Sequence, residues 1–146
     1  MIGSASPASS TPALSALFEE ATFRIIISTP VTIGDFGVGD DHQVDFTTPG
    51  VDASRAAVLH LRVRGVQCNN TITINGVGVT DALVARDGDE LDDFYSEIGR
   101  VPPNVLRANG NNTLRIASAS CFPAAPDNGN RDDFTVDNVV LVYRQP

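Results

Sequence analysis

Short β-branched and apolar runs, each closed by turn-forming residues, limit most strongly what this chain can fold into. The run Ala57–Arg64 alternates apolar and polar side chains, which is the two-residue period of a half-buried strand. Asn75-Gly76 follows another run and is the residue pair that two-residue hairpin turns prefer. No long helical pattern lies between the runs, so the sequence predicts an antiparallel β-sandwich or barrel.

Turn residues divide the chain after Ala21 into segments with a strand pattern. These segments are Thr22–Ser28, His42–Thr47, Ala57–Arg64, Thr71–Ile74, Val77–Val79, Thr113–Ala119 and Phe134–Tyr143. In Ala57–Arg64 the odd-numbered side chains are apolar and are predicted to face the core, while the even-numbered ones face outward.

Residues 1–20 are predicted to form an N-terminal arm, and residues 21–146 the sandwich domain. The first twelve residues are mostly serine, alanine and proline, without an apolar period. A short helix could begin at Thr11, with proline in its first turn and apolar residues on one side. Those apolar residues are Leu14, Leu17 and Phe18.

The charge balance excludes two classes of partner. Ten basic residues face eighteen aspartates and glutamates, so the net charge is −8. Phosphate backbones and anionic lipids are repelled by such a chain, so we expect neither nucleic acid nor membrane as a partner. Met1–Phe18 also lacks the basic segment of a signal peptide, which does not support secretion by that route. A signal removed ahead of Met1 is the alternative.

The two cysteines, Cys68 and Cys121, follow two candidate strands. Neither His42 nor His60 stands at a zinc-ligand spacing from them, so a zinc site is not expected. A disulfide between them would close a long loop and stabilise the fold by about 4 kcal/mol in the entropic treatment. Two buried thiols in a reducing compartment are the alternative, and both remain open.

Motifs for catalysis are absent or incomplete. Glycines 34, 37 and 39 do not have the spacing of a phosphate loop, and acidic residues accompany them. Glu90 and Glu97 could form an acid and base pair for glycoside hydrolysis, but nothing in the sequence distinguishes them from other acidic residues. No serine lies in a G-x-S-x-G elbow. We therefore expect no catalytic residues, no required cofactor and no enzyme.

Three segments together resemble the jelly-roll β-sandwich of the galactose-binding-domain-like superfamily, a non-catalytic module appended to many glycoside hydrolases and surface proteins. They are LRVRGVQCNNTITINGVGV (Leu61–Val79), VPPNVLRANGNNTLRI (Val101–Ile116) and DDFTVDNVVLVYR (Asp132–Arg144). The resemblance extends at most over residues 53–146. It implies an antiparallel jelly-roll sandwich with a ligand patch in loops at one end, and often a structural calcium ion.

An acidic run is the nearest candidate for that calcium ion, because Ca²⁺ prefers hard oxygen ligands. Its candidate ligands are Asp87, Asp89 and Asp92, with Glu90 and Asp93 beside them. The run does not have the glycine and glutamate of an EF-hand loop, and a solvated acidic loop is the alternative. For a glycan ligand, the stacking and polar candidates are Phe36, Phe94, Tyr95 and Asp92.

The final strand has a surplus of apolar side chains. Phe134, Val136, Val140 and Val142 share the side predicted to face the core, and strict alternation predicts that Val139, Leu141 and Tyr143 face outward. Outward apolar residues of this kind require a cover. The predicted interface therefore comprises these three residues together with Leu14, Leu17 and Phe18, from the same chain or from another subunit.

Two functions fit this description. The first is a non-enzymatic structural or interaction module that forms homo-oligomers or docks on a larger protein particle, with a phage virion protein (capsid decoration or tail accessory) as its most specific form. Its location would be a particle surface, or otherwise the cytoplasm. The alternative is a carbohydrate-binding module that recognises a glycan through loops, although the chain has no tryptophan and only two tyrosines.

Overall fold

The computed structural model describes residues 21–35, 37–85, 93–120 and 131–146, and these residues contain nine strands and no helix. The strands are β1 (Ala21–Ile27), β2 (Val31–Ile33), β3 (Asp41–Phe46), β4 (Ala57–Arg64), β5 (Thr71–Ile74), β6 (Val77–Gly78), β7 (Tyr95–Val101), β8 (Asn112–Ala117) and β9 (Phe134–Arg144). These described residues contain no helix that is long and apolar enough to cross a membrane.

The strands form two antiparallel sheets. In the first sheet the order is β1-β9-β4-β7. Strand β2 pairs with the first residues of β9, along the same edge of β9 that pairs with β1 further on. In the second sheet the order is β3-β8-β5-β6. The prediction of an all-β antiparallel sandwich is therefore confirmed.

The core lies between the inner faces of the two sheets and follows from strand alternation. Leu59 and Leu61 on β4 are fully buried, as are Leu114 and Ile116 on β8. Burial of each such side chain contributes about 1.5–3 kcal/mol, which is the main free-energy gain that holds the sheets together. The alternation predicted for β4 is confirmed, because its odd-numbered residues are buried throughout.

The hairpin between β5 and β6 turns at Asn75-Gly76, as the residue pair predicts. Both residues have positive φ angles, of 53° and 82°, which asparagine and glycine tolerate. The Asn75 side chain also joins neighbouring segments, because its amide nitrogen donates to the Val105 carbonyl at 2.8 Å and its oxygen accepts from the Thr113 N–H at 2.9 Å. The turn is thus anchored to β8.

Strand β9 contains a β-bulge that changes which of its side chains face the core. His60 on β4 lies opposite Val140, but Arg62 lies opposite Asp137, so β9 has one residue more than β4 over this interval. Asn138 in the interval has a φ of 50°, in the left-handed region that asparagine tolerates. Because side chains alternate with a period of two, one inserted residue exchanges the two faces of the strand.

The predicted outward position of Val139, Leu141 and Tyr143 is wrong. Val139 and Leu141 have no exposed surface, and Tyr143 is also buried, so all three belong to the core. The residues that strict alternation assigned to the core after the bulge, Val140 and Val142, lie on the opposite side, with Val140 half-buried and Val142 exposed. The bulge is the physical reason, since it shifts the alternation by one residue.

Strand boundaries agree closely with the sequence for β4 and β5 and within two residues elsewhere. The sequence did not predict β2 or β7. The predicted arm and its helix at residues 1–20 lie outside the described residues, so that division of the chain stays a prediction.

Candidate functional site

The outer face of the first sheet is apolar. The large hydrophobic side chains on this outer face are between 38% and 64% exposed, whereas those on the inner face are buried. We call this surface the apolar face, and its exposed members are Phe23, Ile25, Val58, Ile98 and Val142. A contiguous apolar patch is rarer on a protein surface than single exposed hydrophobic residues, and it is typical of interaction sites.

Strand pairing places these side chains in two rows that cross four strands. The first row is Phe23, Val142, Val58 and Arg100, and the second row is Ile25, Val140, His60 and Ile98. Neighbouring strands are about 4.8 Å apart, so each row extends over about 14 Å. The face is therefore continuous from β1 at one edge of the sheet to β7 at the other.

Positive charge accompanies the apolar face in a chain whose net charge is −8. Arg100 is exposed at the end of the first row, and Arg62 and Arg64 are exposed on the outward side of β4. Among the outward side chains described on β1, β4, β7 and β9, one is a carboxylate, that of Asp137. Its Oδ2 lies 4.0 Å from Nη1 of Arg62. The face is therefore apolar and basic, unlike the chain as a whole.

At one end of the apolar face, Phe94 lies beside two arginines. The guanidinium carbons of Arg62 and Arg64 are 5.1 Å and 4.8 Å from the centre of the Phe94 ring. Such cation–π contacts contribute about 0.5–1 kcal/mol each at exposed positions. We call these three residues the Phe94 cluster. It brings together an aromatic ring and hydrogen-bond donors at one place on the surface.

Tyr95 does not join the Phe94 cluster, although both residues were predicted as stacking partners for a ligand. Tyr95 lies opposite Val63, which faces the core, and it packs against the core from its half-buried position. Its side chain therefore points to the other side of the sheet from the outward residues of β7. A shared stacking surface of Phe94 and Tyr95 is excluded by this alternation.

Other predicted site residues lie outside the described part of the chain. They are the ligand residue Phe36, the calcium candidates Asp87, Asp89 and Asp92, and the interface residues Leu14, Leu17 and Phe18. These predictions stay predictions. Within the ranges that the structure describes, no group of three or more histidine, cysteine, aspartate or glutamate side chains could hold a metal ion.

Glu97, one of the two carboxylates considered for hydrolysis, is buried and already bound to the backbone. Its Oε1 accepts from the Leu83 N–H at 2.8 Å, and its Oε2 accepts from the Val84 N–H at 3.3 Å. These bonds fix the loop that precedes β7. The second member of the considered pair, Glu90, lies outside the described residues. The geometry thus gives Glu97 a structural role.

Asp132 is a second buried carboxylate with a structural role. Its Oδ2 accepts from the backbone N–H groups of Gln67 and Cys68, at 2.9 Å and 3.1 Å, and from Nδ2 of Asn70 at 2.8 Å. These contacts tie the segment after β4 to the segment before β9. Cys68 is disulfide-bonded. The only other cysteine in the sequence, Cys121, lies outside the described residues, so a disulfide between these two cysteines stays a prediction.

The sequence contained signals for part of the apolar face. Ile25 belongs to a run of three isoleucines that is apolar on both sides of a strand, and Val58 lies on the outward side of the predicted β4. Ile98 could not be assigned, because β7 was not predicted. Val142 was assigned to the wrong side of β9. A covered outer face was expected, and an apolar outer face exists, but it is composed of other residues.

No protein-family profile matches the chain, and no curated protein matches its sequence. Among solved structures it is similar to BuGH86, a glycoside hydrolase 86 structure in complex with neoagarooctaose, with a TM-score of 0.46 and 17% identity over 84% of this chain and 19% of that one. A variant of BuGH86 with the same ligand gives a TM-score of 0.45 and 16% identity over the same shares.

This chain therefore spans about a fifth of the length of the proteins it resembles. A similarity at this level carries no argument about function. Membership of the galactose-binding-like superfamily is not confirmed, and the comparisons do not support a virion protein. What is established is the class of fold, an antiparallel β-sandwich with one apolar outer face.

Proposed function

We propose that the protein is a non-catalytic interaction module that holds a partner protein against the apolar face. The observation that carries this proposal is the exposure of Phe23, Ile25, Val58, Ile98 and Val142 in one contiguous patch. Water contact with these side chains is unfavourable, and an associated surface removes it. The narrower form of the proposal is a partner that is itself a large particle, such as a virion.

The chemistry of the face defines the partner. Its contact surface should be apolar in the middle and carry a carboxylate where it meets Arg100. Complementary charges of this kind speed association and select among partners. The arginines on this face favour a partner whose contact surface is acidic, although this chain as a whole is acidic.

The energetic scale is sufficient for specific binding. Covering the exposed part of a side chain such as Ile98 contributes on the order of 1–2 kcal/mol. Each 1.4 kcal/mol corresponds to about a tenfold change in the dissociation constant. Loss of one such residue from the centre of an interface is therefore measurable.

Site-directed photo-cross-linking in the source cells tests this proposal. A benzophenone amino acid replaces Ile98, and the matched control carries it at Thr73, which lies on the outward side of β5 in the second sheet. We expect one discrete protein adduct from position 98 and none from position 73. Mass spectrometry of the adduct identifies the partner.

Calorimetry with the purified partner then measures the contribution of the face. Ile98→Asp should weaken binding about tenfold or more, whereas Thr73→Asp should leave it unchanged. Circular dichroism of both variants establishes that the fold is retained. Equal binding by the two variants, or equal cross-linking from both positions, contradicts the proposal.

Glycan binding at the Phe94 cluster is a second candidate. The specific observation is the Phe94 ring with the guanidinium groups of Arg62 and Arg64 beside it. Aromatic rings contact the apolar faces of sugars, and guanidinium groups donate to sugar hydroxyls. This site would use a strand face and its end, rather than the loop pocket that the sequence suggested.

A titration with a glycan panel in calcium-containing buffer tests the second candidate. The panel includes neoagarooctaose, the ligand of the similar glycoside hydrolase structure. Phe94→Ala should abolish any binding, while Phe23→Ala at the far edge of the same sheet should retain it. Absence of binding across the panel, or an unchanged affinity of Phe94→Ala, removes this candidate.

A further inference from the structure

Strand β1 lies at one edge of the first sheet. It pairs with β9 on one side, and no described residue pairs with its other side. Phe23, Arg24 and Ile25 are exposed, and the strand contains neither proline nor a carboxylate. An exposed apolar edge strand is a ready template for pairing with another strand.

The other edges of the described sheets are protected. At β7, Thr80 and Arg100 exchange two backbone hydrogen bonds of 3.1 Å and 3.0 Å. At β2, the N–H of Val38 donates to the Thr32 carbonyl at 2.9 Å, so the following turn covers that edge. Edge protection is therefore the general pattern of this fold, and β1 departs from it.

The second sheet protects its edges by charge and by length. Strand β3 carries exposed Asp41 and Asp45, and charged side chains oppose pairing with another chain. Strand β6 has only two residues, Val77 and Gly78. Neither edge offers the regular, carboxylate-free template that β1 offers, in which Arg24 is the one charged residue.

We propose that β1 pairs with β1 of a second copy of this chain, in antiparallel orientation, and joins the two first sheets into one continuous sheet. This inference goes beyond the proposed function, since it concerns the edge of the sheet rather than its outer face. The pairing is isologous, so it closes as a symmetric dimer.

The regular part of β1 defines the register. Ala21–Ile25 pairs with β9 without interruption, and an irregularity follows between Ile25 and Ile27. The midpoint of the regular stretch is Phe23. A two-fold axis at Phe23 places the two Phe23 side chains opposite each other and sets Thr22 opposite Arg24.

The neighbouring register is disfavoured. If Phe23 lay opposite Ile25, the two Arg24 side chains would lie directly opposite each other, and like charges in that position destabilise a strand pair. The Phe23-centred register avoids this contact. It also continues the apolar face of one copy into that of the other, because directly opposed residues share a face.

The sequence does not favour the chain's own N-terminal segment as the strand that pairs with β1. Residues 13–20 (ALSALFEE) contain no glycine, proline, asparagine or aspartate, which are the residues that form tight hairpin turns. The first eleven residues are rich in serine and contain a proline and a glycine, which have low strand propensity. A second β1 brings the β-branched and aromatic residues that strands prefer.

Disulfide cross-linking of the full chain tests the pairing. Directly opposed residues in antiparallel strands have Cα atoms about 4.5–5.5 Å apart, within the range of a disulfide. Phe23→Cys should therefore form a covalent dimer as the main product of mild oxidation. Ile98→Cys is the matched control, because it is equally exposed on the same face but lies on the protected edge strand β7, and it should remain mostly monomeric.

Sedimentation velocity of the unmodified chain and of Phe23→Lys gives the second readout. We expect a concentration-dependent dimer for the unmodified chain and at least a tenfold weaker dimer for Phe23→Lys, with Ile98→Lys as the unchanged control. A monomer at all concentrations together with equal cross-linking of the two cysteine variants overturns the proposal. A dimer that appears only when residues 1–20 are deleted also overturns the proposal, since that result would mean that the chain's own N-terminal segment occupies the edge of β1.

These outcomes are separate from those of the proposed function. Ile98→Asp should weaken partner binding by the apolar face but leave the dimer intact. Loss of the dimer in Phe23→Lys with retained cross-linking of a partner from position 98 would leave the face proposal standing.

Discussion

The outer faces of the two sheets differ in chemistry although their inner faces are alike. The second sheet presents polar side chains at every outward position described on its three longer strands except Ala117, namely Asp41, Gln43, Asp45, Thr71, Thr73, Thr113 and Arg115. The outward positions of the first sheet include five exposed large apolar side chains, Phe23, Ile25, Val58, Ile98 and Val142. The threonines of the second sheet favour strands, as do the valine and isoleucine residues of the first, so strand propensity does not explain the difference.

Polar pairs across strands show how the second sheet accommodates water. Thr113 donates from its hydroxyl to Oδ1 of Asp45 at 2.8 Å, and Arg115 forms an ion pair with Asp41. Threonine combines β-branching with a hydroxyl, and so supports a strand on a wet face. On the outer face of the first sheet, β-branched apolar residues take the place of threonine. One outer face of this sandwich is therefore polar, and the other carries a patch of exposed apolar side chains.

The largest expected effect separates two adjacent residues of β9. Leu141→Ala removes a fully buried side chain and should lower the free energy of unfolding by about 2–5 kcal/mol. Val142→Ala changes an outward side chain and should cost less than about 1 kcal/mol. Urea denaturation measures both. Equal losses would mean that the inner and outer sides of β9 are not as described.

The bulge at Asn138 gives the next largest effect. Asn138→Val places a β-branched residue at a φ of 50° and should cost about 1–3 kcal/mol. Asn138→Gly tolerates that backbone and should remain within about 1 kcal/mol of the unmodified protein. Thermal denaturation of the two variants checks this order. A well-tolerated valine would indicate a regular strand, and would restore the outward assignment of the three buried residues.

Tyr143 provides a pH-dependent probe of the inner side of β9. Burial raises the pKa of Tyr143 above its usual value of 10, and the positive charge of Arg24 partly opposes this shift. The folded state therefore holds the phenol proton more tightly than the unfolded state. The corresponding stability is fully present below pH 10 and is lost as the pH rises through the raised pKa.

Tyr143→Phe should remove this alkaline loss of stability. At neutral pH it should cost about 0.5–1.5 kcal/mol, because the hydroxyl donates to the Pro49 carbonyl at 3.3 Å. Unfolding measured between pH 8 and pH 11 checks the expectation. The same alkaline slope in the variant and the unmodified protein would assign the titration to another group.

The smallest effect is expected on the polar outer face of the second sheet. Arg115→Ala removes an exposed ion pair with Asp41 and should change stability by less than about 1 kcal/mol. The change should shrink further in high salt, because exposed charges are screened. Chemical denaturation at two salt concentrations measures it. A loss of stability as large as that of Leu141→Ala would contradict the assignment of Arg115 to a solvated outer face.

Local sequence patterns were sufficient where a strand is regular. Strands β4 and β5 have the predicted bounds, and the Asn75-Gly76 turn lies where its residues require positive φ. These features depend on neighbouring residues along the chain, so the sequence contains their full cause. The apolar surplus of β1 was also visible in its run of isoleucines.

Strand β7 was not predicted from the sequence, because the contacts that explain its residues are made with other segments of the folded chain. Its glycine, Gly99, resembles a turn residue in the sequence, but a Cβ at this position would lie 2.5 Å from Cγ1 of Val79. The glycine is required by the close approach of another segment to the strand. Glu97 likewise resembles a surface residue, and its burial is compensated by N–H groups of the loop that precedes β7.

The sequence by itself determined the all-β class, the alternation within each regular strand and the presence of more apolar side chains than one core can bury. Only the tertiary structure decided which side of β9 those side chains occupy. The reason is that alternation specifies the period of a strand but not its phase. The bulge beside Asn138 sets that phase through pairing with β4, and with it the composition of the apolar face.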